Sequence, residues 1–138
     1  MGYGNQSRQT LTVHEKTADN LGATGDDLVL DITQPVTVLR IGCLVTTAIV
    51  GTGTIKADRR VTAGSDTGRG DGDVGTLTML ALAAGKILYK DVRVDLNPGD
   101  QIVFEVTAAA TSGNGRYFAE VIARDEVAAN LTDMTASA

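Results

Sequence analysis

The stretch DVRVDLNPGDQIVFEVTA, residues 91–108, decides the fold. Before the central NPGD, Val92, Val94 and Leu96 share one parity while Asp91, Arg93 and Asp95 share the other. After it, Ile102, Phe104 and Val106 alternate with Gln101, Val103, Glu105 and Thr107. A period of two is the mark of a strand with one buried face. In the NPGD segment Pro98 fixes φ at the second turn position and Gly99 supplies φ > 0 at the third, a β-turn signature. The spacing predicts that the two flanking strands pair as a hairpin.

Working outward, the same grammar repeats. Leu11 and Val13 alternate with Thr10, Thr12 and His14, and a second strand is expected over 27–32. Pro35 opens a third over 36–48, apolar on both parities: Leu39, Ile41, Cys43 and Val45 on one side, Val36, Val38 and Leu44 on the other together with Arg40. Further strands are expected over 54–63, 76–82, 87–96 and 101–108. Ser112 to Gly115 are read as a reversal, the Asn114-Gly115 pair favouring a tight hairpin into a last strand over 116–124, where Tyr117, Ala119 and Val121 alternate with Phe118, Glu120 and Ile122. These segments are too short and too β-branched for helices. The expected fold is all-β: an antiparallel β-sandwich or jelly-roll-like barrel of about eight strands over 9–124, with an extended N-terminal arm (1–8) and a C-terminal tail (125–138). A helix within the tail, over 126–131, would be marginal alone.

Composition excludes more functions than it suggests. The 138 residues hold one His, one Cys and no Trp, and carry a net charge of −5. An acidic chain with scattered Lys and Arg is ill-suited to a phosphate backbone, so no nucleic-acid partner is expected. Nothing approaches the roughly 20 apolar residues of a membrane helix, so no membrane partner is expected and the protein is read as soluble. Residues 1–7 lack the charged and apolar regions of a signal peptide, and Gln6 stands where a myristoylation signal needs Ser or Thr. Cys43, inside an apolar run, is read as a small buried hydrophobe.

No constellation of catalytic residues stands out. The loop over 64–75 has five glycines and three acids, Asp66, Asp71 and Asp73, but their spacing does not match a calcium-binding EF-hand loop. Its Arg69-Gly70-Asp71 tripeptide reads as part of a surface loop. His14 falls on the polar parity of its strand without a sequence-evident partner. No phosphate loop, dinucleotide fingerprint, zinc spacing or nucleophile elbow occurs. No enzyme activity, catalytic residue, metal or cofactor is expected, which leaves binding or assembly.

The polar opening GYGNQ, the acidic β module, the stretch GKILYKDVRVDLNPGDQIVFEV (85–106) and the Ala/Thr tail together resemble the head decoration, or capsid cement, proteins of tailed bacteriophages. The resemblance implies a structural virion protein, made in the bacterial host cytoplasm, that sits on the outer surface of the capsid. There it would bridge major capsid protein subunits as a homotrimer or a dimer. Such a family shares no site motif, so contact candidates come from the residues themselves. Tyr3, Asn5, Gln6 and Arg8 in the arm are the expected capsid contacts, since Tyr and Arg are favoured anchors. Arg40, Phe118 and Ile122 are the expected subunit contacts, because apolar groups on an outward parity need cover. The competing expectation is a carbohydrate-binding or adhesin-like sandwich, or another minor head or tail protein. A sugar platform is poorly served by two Phe, three Tyr and no Trp.

Overall fold

A computed structural model describes residues 10–61 and 72–124. Among them the chain forms strands β1 (Thr10–His14), β2 (Asp19–Asn20), β3 (Gly25–Asp31), β4 (Val36–Val50), β5 (Gly53–Val61), β6 (Gly72–Met79), β7 (Ile87–Leu96), β8 (Asp100–Ala108) and β9 (Ser112–Ala123), and no helix. The all-β expectation is met. The ninth strand is β2, a two-residue pairing of Asp19 and Asn20 with Gly115 and Asn114. It is too short to carry a period.

Every pair is antiparallel. One sheet runs β1-β9-β4-β7, with β2 also on β9; the other runs β3-β8-β5-β6. With β2 set aside, consecutive strands are dealt alternately to the two sheets except for β5 and β6, the strand order of a jelly roll. A closed barrel does not form, because no edge strand of one sheet pairs with an edge strand of the other. Between β1 and β3 an apolar slot of about 150 Å³ remains, lined in part by Leu11, Val13, Leu30 and Ile32.

This topology corrects both expected hairpins. The turn chemistry of residues 97–100 is as read: Gly99 has φ of 93°, and Asp100 N–H donates to Asn97 O at 3.0 Å. Yet β7 and β8 lie in opposite sheets, so the turn carries the chain across the sandwich. Asn114 and Gly115 are not a turn at all but part of β9. The chain reverses between β8 and β9, again from one sheet to the other. Turn residues specify a reversal; whether the flanking strands pair or stack depends on which faces must be buried together. The β6 strand also begins at Gly72 and stops at Met79, earlier at both ends than its expected span.

The mixed parity of β4 has a single cause. Between Val38 and Arg40 the register against β9 shifts, with two steps on β4 facing one on β9. Such a bulge inserts one residue and flips the side-chain parity beyond it. Val36 and Val38 therefore share the core face with Ile41, Cys43 and Val45, all buried, while Arg40 stays on the outer side. The expectation that Val36 and Val38 oppose Ile41 and Cys43 is thus overturned. On β8 and β9 the inward residues are as read: Ile102, Phe104, Val106, Tyr117, Ala119 and Val121 are all buried. Val103, on the outward parity, is buried too, flanked by Val29 of β3 and Asp58 of β5 in the middle of its sheet. Phe104 and Tyr117, stacked at 4.8 Å between ring centroids, join the two sheets.

Candidate interaction face

The outer side of the five-stranded sheet is a grid fixed by strand register. Leu44 of β4 stands between Ile87 of β7 and Arg116 of β9. One step along, Gly42 stands between Tyr89 and Phe118, with His14 of β1 beyond Phe118. The next row is Asp91, Arg40, Glu120 and Thr12, and the last is Asp95, Thr37, Ile122 and Thr10. Apart from Gly42 and Asp91, the residues of the first three rows line a concavity of about 620 Å³.

Each row has its own chemistry. Gly42 leaves a gap in the middle of the sheet, and the Phe118 ring lies across it; a methyl group there would overlap the ring. Phe118 is therefore buried although it belongs to the outer side. Its ring sits 6.3 Å from that of His14. In the next row Arg40 Nε donates to Asp91 Oδ1 at 2.7 Å, and a second guanidinium nitrogen lies 3.5 Å from Glu120. The hydrogen bond to Asp91 raises the affinity of Arg40 for its proton. The same guanidinium stacks over the Tyr89 ring at 4.5 Å. Ile87 and Tyr89 remain 55% and 53% exposed, large for apolar groups on one strand.

At the end of the concavity the face meets an acidic corner. Tyr117 N–H donates to Glu15 at 3.1 Å, and its hydroxyl donates to Asp27 at 2.7 Å. Asp27 lies where β3 slips its register against β8, between Asp26 and Leu28. Burial, followed by a hydrogen bond to Asp19, lifts the Glu15 carboxyl to about 8. Burial also raises Asp27. The Cys43 thiol, pushed up to about 12 by burial first and then by the neighbouring acids, is the inert core group read from sequence. Among the described residues no group of three or more His, Cys, Asp or Glu is placed to hold a metal ion.

Of the residues singled out from sequence, Arg40 and Phe118 line the same concavity, and Ile122 lies on the same face in the fourth row. Tyr3, Asn5, Gln6 and Arg8 lie outside the described residues, as do Asp66, Asp71 and the span 126–131. Ile87 and Tyr89 were missed. Their signal was present: both share the outward parity of β7 with Asp91, Arg93 and Asp95.

No family model matches the chain, and no curated protein matches it. Solved structures to which it is similar include the VP2 subviral particle of infectious bursal disease virus, with a TM-score of 0.43 and 12% identity over 83% of this chain and 32% of that one. The T=1 particles derived from infectious bursal virus give a TM-score of 0.42 and 13% identity over 85% of this chain and 32% of that one. A chain from the disulfide-linked pili of Bacillus endospore appendages gives 0.33 and 19% identity over 83% and 91%. This chain spans about a third of the length of the virus chains it matches. Likenesses at this level assign no function.

Proposed function

We propose that this chain is a structural virion protein of the head-decoration kind, covering the outer surface of a tailed-phage capsid and bridging major capsid protein subunits. It acts by burying surface and not by catalysis. The observation that carries the reading is the difference between the two outer faces. The four-stranded sheet presents a lattice of ion pairs, with Arg60 bound to Asp26 at 2.7 Å and Lys56 to Asp73 at 3.0 Å, the kind of surface that water solvates well. The five-stranded sheet presents Ile87, Tyr89, Leu44 and Phe118 rimmed by charges, an apolar centre with a polar rim such as protein interfaces have. A slab with one wet and one sticky side suits a protein that works by burying surface against other protein chains. A binder that engages only the assembled shell stabilises it by linkage.

Jelly rolls serve capsid and lectin domains alike, so the fold admits a second reading. It is favoured by one fact: Tyr89 and Phe118, the two described aromatic residues outside the core, stand in one row beside His14. Against it, Arg40 covers one face of the Tyr89 ring and the Phe118 ring lies buried across Gly42, so the two rings do not form an open stacking platform for a sugar. Saturable binding on a glycan array would favour the lectin reading. The decisive experiment mixes the purified protein with tailed-phage heads stripped of their decoration protein. Saturable co-sedimentation, with heads that then survive hotter incubation, is the expected result. Neither binding nor protection would sink the decoration reading.

A further inference from the structure

The two outer faces differ in charge as well as in hydropathy. Over the four-stranded sheet, Lys56 and Arg60 are outnumbered by Asp26, Asp31, Asp58, Asp73 and Glu105. Across the first three rows of the other face, Arg40 and Arg116 balance Asp91 and Glu120. Arg116 forms no ion pair among the described residues, so it is available to a partner. Glu15, which also lines the concavity, has its carboxyl shifted by burial toward the uncharged form. In a chain of net charge −5, this neutral face is where another copy meets no net repulsion. It is also where Ile87 and Tyr89, exposed on β7, form part of the wall of the concavity.

We propose that two copies of this chain associate face to face through the outer side of the five-stranded sheet, Ile87 and Tyr89 of each packing into the concavity of the other. Such a contact is isologous: the same patch serves both partners. The acid-base-acid row of Asp91, Arg40 and Glu120 gives each copy both signs to offer the other, which fixes register more than it adds affinity. The pairing deepens the decoration reading and rests on that reading for its purpose. The apolar face is then buried between the two copies, so each meets the shell with its remaining surface. Two linked copies grip two shell subunits at once, and the second grip gains from effective concentration.

Sedimentation equilibrium on the full chain tests the pairing, with Ile87→Lys and Tyr89→Glu on the face and Val29→Lys on the opposite sheet. All three positions are exposed, so folding is expected to survive, and circular dichroism checks that it does. The wild type is expected to show a concentration-dependent dimer. Ile87→Lys and Tyr89→Glu should each weaken it by about tenfold or more, and Val29→Lys should leave it unchanged. A monomer at every concentration, a strict trimer, or a dimer indifferent to Tyr89→Glu overturns the inference. Head co-sedimentation of the wild type separates the two readings. A monomer that coats heads removes the pairing and keeps decoration, while a dimer that ignores heads does the reverse.

Discussion

Glu15 shows how one residue ties the corner of the sandwich to pH. Its carboxyl accepts the Tyr117 N–H and is held near 8 by burial and by Asp19. In the unfolded chain it loses its proton near the ordinary carboxylate value, so between that value and about 8 the unfolded state binds fewer protons than the folded state. Stability from this group therefore falls as pH rises through that window, and the loss is complete above it. Asp27, also raised, acts in the same direction. Glu15→Gln keeps an acceptor for Tyr117 N–H and removes the titration. Chemical denaturation at about pH 5 and about pH 9 should show the wild type losing more stability than the variant, by roughly 1–2 kcal/mol once solvent screening of a partly exposed group is allowed for. Equal slopes for the two proteins would contradict the assignment. Gly42 acts at the same scale by what it lacks, since only a residue without Cβ lets the Phe118 ring close over the strand.

At the scale of the element, β4 carries the most information and was the hardest to read. Its apolar residues fall on two parities, with Arg40 among the second set. The bulge near Leu39 explains the pattern within one chain, because it rotates the second half of the strand until Ile41 and Cys43 join Val36 and Val38 in the core. Deleting Leu39 leaves both halves facing as they do now, while inserting an alanine between Ile41 and Gly42 turns Cys43 and Val45 outward. Urea unfolding should find the insertion costing at least about 4 kcal/mol, in the range that marks a disrupted core, and the deletion clearly less. The reverse order would mean that the bulge is not what sets the parity. The β8 and β9 strands were legible because their periods run unbroken, so Ile102, Phe104, Tyr117 and Ala119 needed no partner to be identified. Ile87 and Tyr89 were legible only as outward apolar groups; that they flank Gly42 and Phe118 is a fact of pairing.

For the whole molecule, the dealing of consecutive strands to opposite sheets sets how it folds. Strand β1 pairs with β9 from the far end of the described chain, and only β5 and β6 pair with a neighbour in sequence. Distant pairings must close long loops before any contact repays the entropy, so refolding after stopped-flow dilution is expected on the millisecond-to-second scale of β-sandwiches. A microsecond relaxation would contradict the topology. The amino-acid sequence by itself determined the strand class, the reversal at Pro98-Gly99, the inward residues of β8 and β9, the inert burial of Cys43, and the outward placement of Arg40 and Phe118. These follow from a period of two and from turn chemistry, which are local. Only the tertiary structure decided which strands share a sheet, where β4 bulges, and that Arg40, Tyr89 and Phe118 meet on one concave face. The period of a strand says which side of it is buried and nothing about its neighbour. The neighbour is settled by which apolar faces can be buried together across the whole chain.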